Sequence, residues 1–291
     1  MSKRTGAGWF GLRASPQVAL ESELFFAVWI GVIQEWVVHK KNKIMKTLIL
    51  TMFMLATVLM ATAQEEVIRK VHAFDKISVS PKINLVLQKG DKESVHITYS
   101  NISSDKINVE VVGNRLKIFL DQARIVDRRE RTYSGDSHSR VSMYHNATVT
   151  AYVTYRELKE LEMRGEEELT CESSIEAEKF KLIVYGKAEV NLSELKANKF
   201  KASLYGANKI KIKTGEINHQ VYRLFGENKI DTRGLESITA SARIYGEGRL
   251  QLTATDDVRI NAFGEPDIDI SGNPHISRGI IIGRTNIDLH E

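Results

Sequence analysis

An aromatic residue followed by glycine returns five times in one stretch of this chain: Tyr185-Gly186, Tyr205-Gly206, Phe225-Gly226, Tyr245-Gly246 and Phe263-Gly264, at steps of 20, 20, 20 and 18 residues. Self-similarity at a fixed period of this length marks a solenoid, whose repeats bury their apolar faces only against stacked neighbours. Within a repeat the apolar residues alternate with polar ones. Four and two residues before the glycines stand Leu182 and Val184, Ala202 and Leu204, Tyr222 and Leu224, Ala242 and Ile244, Ile260 and Ala262. Four and six after them stand Val190 and Leu192, Ile210 and Ile212, Ile230 and Thr232, Leu250 and Leu252, Ile268 and Ile270. That period of two predicts a strand, a glycine corner and a second strand in each coil. A third short strand is expected near Phe180, Phe200, Ala240 and Val258.

Glycine recurs at the corner because a sharp change of direction commonly needs a positive φ, which other residues adopt only with strain. Coils of about 20 residues built this way stack as parallel strands about 4.8 Å apart, and the chain is read as an all-β parallel β-helix. Helical and leucine-rich repeats do not fit, since the stretch has neither a 3.6-residue periodicity nor a leucine-asparagine ladder.

Upstream, short alternating runs predict a strand-rich N-terminal part: Ile77 and Val79; Ile83, Leu85 and Leu87; Val95, Ile97 and Tyr99; Ile107, Val109 and Val111; Leu116, Ile118 and Leu120. Gly113-Asn114 between the last two has the chemistry of a tight hairpin turn. Alternation lapses across residues 121–146, read as a long polar loop containing Arg124, Arg128, Arg129, Arg131 and Arg140. It resumes at Val149, Ala151, Val153 and Tyr155, and Arg164-Gly165 stands 21 residues before Gly186, as a first corner would.

The beginning of the chain reads differently. A basic head at Lys46, an apolar run from Thr47 to Met60 and the triplet Ala61-Thr62-Ala63 make residues 45–63 a secretory signal with cleavage before Gln64. Residues 1–44 are then a mis-assigned upstream extension, and 64–291 form one domain. Membrane association is expected only if residues 47–60 stay uncleaved. Of the chain's 41 Lys/Arg and 37 Asp/Glu, seven and three fall in residues 1–63, which leaves 34 of each and a neutral domain. Nucleic acid therefore has no electrostatic claim as a partner. Cys171, the one cysteine, excludes an internal disulfide and reads as a small core residue.

Several motifs in order carry a family resemblance. Lys82 to Asp91 (KINLVLQKGD) resembles the opening signature of the bacterial family called putative auto-transporter adhesin, head GIN domain. Val153 to Leu161 (VTYRELKEL) resembles its middle motif, and the coil corners and Ser271-Gly272-Asn273-Pro274 are similar to its later ones. The resemblance covers nearly all of residues 64–291. It implies a right-handed β-helix with a strand-rich entry, exported to the periplasm, the outer membrane or the outside, and it brings no catalytic residues with it. One departure is clear: where the family has small serine-glycine corners, this chain has Tyr or Phe before all five glycines.

Those rings are the candidate site. If the residues two and four before each glycine point inward, Tyr185, Tyr205, Phe225, Tyr245 and Phe263 point outward and stack into a ladder. Exposed aromatics offer apolar faces to sugar rings or to another protein, and the same stack could instead shield the coil corners. The expected function is a non-catalytic binding or adhesion module of the cell envelope, with a glycan or an envelope protein as partner. The alternative is a carbohydrate-active, lyase-like enzyme using Asp267 and Asp269, about 7 Å apart on one strand face, with Asp256 and Asp257 nearby. Such carboxylates could also hold Ca²⁺. No cofactor or metal is expected, as the eight histidines form no H-x-x-x-H pair.

Overall fold

The structure, a computed structural model, describes residues 65–126, 129–134 and 137–290, and the side chains of 127–141 fall outside that description. The expected signal (45–63), the upstream extension (1–44) and Arg128 lie outside the described residues. Among the described residues the only helical element is one short 3-10 turn, Ser104–Lys106, and no helix is long and apolar enough to cross a membrane.

Ten short strands make the entry: β1 (Glu65–Lys70), β2 (Lys76–Val79), β3 (Asn84–Lys89), β4 (Ser94–Ser100), β5 (Ile107–Val112), β6 (Arg115–Leu120), β7 (Arg129–Ser134), β8 (Ser137–Ser142), β9 (Thr148–Tyr155) and β10 (Glu160–Gly165). Long bent strands follow as the coils: β11 (Glu168–Gly186), β12 (Glu189–Gly206), β13 (Lys209–Phe225), β14 (Asn228–Thr232), β15 (Leu235–Thr253) and β16 (Asp257–Ser271), closed by β17 (His275–Ile282) and β18 (Asn286–His290). Together they form a β-solenoid of about 7 turns at about 20-residue spacing.

Three walls surround the core. The wall before the glycine corner runs β6-β2-β10 and continues, parallel, through the ends of β11, β12 and β13 into β15, β16 and β17. The wall after it runs β1-β4-β9-β3 and continues through the starts of β11, β12 and β13 into β14, β15, β16 and β18. Between them the middle of each long strand makes the third, where Phe180, Phe200, Gln220, Ala240 and Val258 share one register. The expected third strand is therefore present.

Register follows the repeat. Gly165 lies opposite Gly186, Gly186 opposite Gly206, and Gly246 opposite Gly264. At the first two of these corners the amide after the glycine donates to the glycine carbonyl one coil earlier: Lys187 N to Gly165 O at 2.9 Å and Ala207 N to Gly186 O at 2.8 Å. Gly206 shows why no side chain fits there: its φ is +116°, and a Cβ would lie 2.1 Å from the Gly186 oxygen. Inside, small residues flank a large one, Ala202 and Ala242 on either side of the fully buried Tyr222.

The entry differs from a row of hairpins. Besides β7 and β8, only β5 and β6 pair as antiparallel neighbours among the described residues, across Gly113-Asn114, with Gly113 at φ +63°. β2 and β3 instead sit on different walls, and β4 packs antiparallel between β1 and β9. The segment read as a polar loop, 121–146, contains the antiparallel pair β7–β8. It is anchored at both ends: Ala123 and Tyr144 are buried, and the Tyr144 hydroxyl donates to the Asp121 carbonyl.

Candidate functional site

Alternation along the wall before the corner turns the core residues inward and the residue preceding glycine outward. The corner does not turn that side chain back. Tyr205, Phe225 and Tyr245 are 37%, 37% and 40% exposed, while Tyr185 and Phe263 at the ends are half-buried. Parallel pairing aligns the rings one per coil, with centroids 4.9, 5.0, 4.9 and 4.8 Å apart and planes within 10° of each other. Arg164 closes the lower end, its guanidinium 4.2 Å from the Tyr185 centroid and bridged to Glu162 at 2.7 Å. At the other end Ile282 is in register with Phe263.

This geometry corrects the picture of flat faces open to a ligand. Carbon atoms meet at about 3.5–4.0 Å, so near-parallel rings with centroids 4.8–5.0 Å apart overlap with an offset, like shingles. Part of each face therefore lies against the next ring, and no gap between rings is wide enough to admit a third ring. What remains open is an apolar strip of ring edges, together with the hydroxyls of Tyr185, Tyr205 and Tyr245, none of which bonds to a described residue.

The acidic residues of the enzymatic alternative are engaged otherwise. Asp269 is only 5% exposed, covered by Arg249, whose Nε donates to it at 2.7 Å, and by Gln251 at 2.9 Å. The Arg249 hydrogen bond holds the Asp269 carboxyl below its usual range. Asp267 accepts from Asn286, and Asp257 accepts from His275 and Ser277. These are contacts between coils, and among the described residues no three His, Cys, Asp or Glu gather as metal ligands would. Cys171 is buried beside the Tyr155 hydroxyl at 3.5 Å, and burial pushes its thiol up, away from thiolate chemistry.

A model of the family described as putative auto-transporter adhesin, head GIN domain, matches residues 73–274. The chain belongs to this family. Solved structures similar to the head GIN domain described above are a putative adhesin from Bacteroides fragilis NCTC 9343 (18% identity, 79% of this chain and 98% of that one, TM-score 0.63) and a putative adhesin from Parabacteroides distasonis ATCC 8503 (18%, 78% and 97%, 0.58). A third, from the same Parabacteroides distasonis strain, is named as a putative lipid binding protein (17%, 78% and 97%, 0.55). At such identities the likeness establishes the fold. Curated proteins gave no match.

Two features of this head GIN domain escape a reading of the sequence by period. Asn208 and Asn228 are buried just past the corner, where Asn208 Nδ2 donates to Asn228 Oδ1 at 3.0 Å and Asn228 Nδ2 to the Phe225 carbonyl at 3.1 Å. Gln220 takes the place that Phe180 and Phe200 hold in earlier coils, bonding to the Leu235 carbonyl and accepting from the Tyr222 hydroxyl, which also meets Thr232 at 2.7 Å. The 20-residue spacing of the asparagines was the available signal for the first.

Proposed function

We propose that this protein is an exported, non-catalytic adhesion-type module of the cell envelope, which engages its partner along the aromatic ladder of the solenoid. The single observation carrying the reading is that five stacked rings lie outward in one line while three of them keep more than a third of their surface open. A contiguous exposed apolar strip of this kind is uncommon on a soluble surface and marks a contact site. Membership of an adhesin-type family agrees with it, and the signal read in residues 45–63 supplies the route of export. A glycan is the favoured partner class, with an envelope protein second. Lyase-like catalysis is disfavoured by the carboxylates, which are tied up in structural contacts.

The test is a glycan array with the wild type and the Tyr205→Ser/Phe225→Ser variant, read well below the melting temperature. Serine removes three of the four stacked pairs, each worth about 0.5–1.5 kcal/mol, so a lower Tm is expected alongside lost binding. A lower Tm with unchanged binding makes the ladder purely structural and overturns the reading. Asp267→Asn is expected to change neither binding nor any breakdown of the bound glycan.

A further inference from the structure

Beside the ladder runs a band of cations that the repeat period does not announce. On the outward face of the wall before the corner, each of the five ring-bearing coils places one cation two or four residues ahead of its ring: Lys181, Lys201, Arg223, Arg243 and Arg259. One strand step of two residues is about 6.6–6.8 Å, so Arg223 and Arg243 stand one step from their rings, and Lys181, Lys201 and Arg259 stand two steps away, about 13 Å, on the same face. Lys181 is paired with Glu160 at 3.4 Å. Lys201, Arg223 and Arg243 have no ion-pair partner among the described residues, and Arg259 has only the field of Asp257, itself held by His275 and Ser277. The remaining outward positions of this face are Ile183, Ser203, Val221, Ser241 and Asn261, without one carboxylate.

Four unpaired like charges on neighbouring strands are unfavourable in the free protein. Burial, then Arg223 and Lys181, bring the Lys201 ammonium below the usual lysine range. The surface is also concave there. A depression of about 510 Å³ is lined by Arg223, Arg243 and Arg259 together with Tyr245 and Phe263. Across the corner, on the far side of the ladder, the acids Glu227, Glu247 and Glu265 bound the strip.

From this juxtaposition we infer that the ladder face binds a linear acidic polysaccharide lying along the solenoid axis, its carboxylate or sulfate groups meeting Lys201, Arg223, Arg243 and Arg259 while its apolar ring surfaces rest on the aromatic edges. The inference rests on the ladder as the contact site and names the chemistry of its ligand. Guanidinium forks suit both carboxylate and sulfate oxygens. One charge per coil, one or two strand steps from an uninterrupted apolar strip, matches a polymer that repeats along one direction. A single-stranded nucleic acid fits less well, because its bases stack on ring faces and rings 4.9–5.0 Å apart leave no room for a base between them. An anionic bilayer would bring its charge over Glu227, Glu247 and Glu265 as well.

The experiment uses the full chain and follows binding calorimetrically to polygalacturonate (carboxylate), dextran sulfate (sulfate) and neutral dextran, with single-stranded DNA and phosphatidylglycerol vesicles as further arms. Expected is binding to one or both acidic polymers, at least tenfold tighter than to dextran and weakened as salt rises from 50 to 200 mM. Arg223→Gln/Arg243→Gln is expected to lose tenfold or more with no drop in melting temperature, both side chains being exposed and like-charged with their neighbours, and Arg243→Lys to keep most of the binding. Lys209→Gln/Lys229→Gln, on the other wall, serves as the control and is expected to bind as wild type. Wild-type affinity in Arg223→Gln/Arg243→Gln, or tighter binding to DNA or vesicles, overturns the inference. Equal binding of dextran and the acidic polymers, abolished by Tyr205→Ser/Phe225→Ser, sinks the acidic ligand but leaves the ladder as a glycan site. No binding to any polymer, with none on the glycan array, sinks both.

Discussion

At the scale of single residues, the coil depends on a few positions that admit one chemistry each. Gly206 is the clearest, since alanine there would combine a φ of +116° with a Cβ 2.1 Å from the Gly186 oxygen. Gly206→Ala is expected to lower the urea midpoint by the equivalent of about 1–3 kcal/mol in backbone strain alone. Tyr222 is the second: its hydroxyl donates to Gln220 and meets Thr232 in a fully buried network. Burial also pushes that hydroxyl's pKa far up, so it stays a donor at any physiological pH. Tyr222→Phe strands the Gln220 oxygen without a partner, and a loss of about 1–3 kcal/mol is expected in chemical denaturation. The glycines were legible in the sequence because φ > 0 restricts residue type. Gln220 was not, since a polar residue in a core column announces itself only when the carbonyls its amide donates to, 15 and 33 residues away, are placed beside it.

At the scale of elements, coils are joined by side chains that reach one repeat forward, and the Arg249–Asp269 contact between β15 and β16 titrates. The Asp269 pKa is lowered in the fold, first by Arg249 and then, against the opposing effect of burial, by Gln251. A carboxyl so depressed contributes stability that is fully present above its unfolded pKa, about 3.9. That contribution fades as pH falls through the lower folded value. Thermal melts are therefore expected to show a loss of Tm below about pH 4 that Asp269→Asn reduces, at the expense of a lower Tm at pH 7. The strands themselves were readable wherever alternation met a glycine corner. The pairing of the entry was not: β2 and β3 each alternate as a hairpin arm would, yet they part to different walls around Pro81 and Lys82, the latter at φ +71°.

For the whole molecule, a solenoid is held by contacts between adjacent coils, so its stability varies along its axis. β11 to β15 are paired on both sides, whereas β17 and β18 pair on one side only and leave Ile280, Ile282 and Leu289 exposed. Hydrogen exchange is expected to find the slowest amides in β11 to β13 and the fastest, within the coils, in β17 and β18. Uniform protection along the axis would contradict this picture. The sequence by itself determined the coil length and the inward residues, because strand alternation and the glycine requirement are local properties of the backbone; whether Tyr185, Tyr205, Phe225, Tyr245 and Phe263 face outward it left conditional on the corner not turning them back. The tertiary structure alone decided that these rings face outward and stack with an offset, that Asp269 is sealed beneath Arg249, and that four unpaired cations stand beside the ladder. Those facts depend on which residues meet across coils some 20 positions apart, and distance in space, not along the chain, sets the strength of a stack or a charge pair.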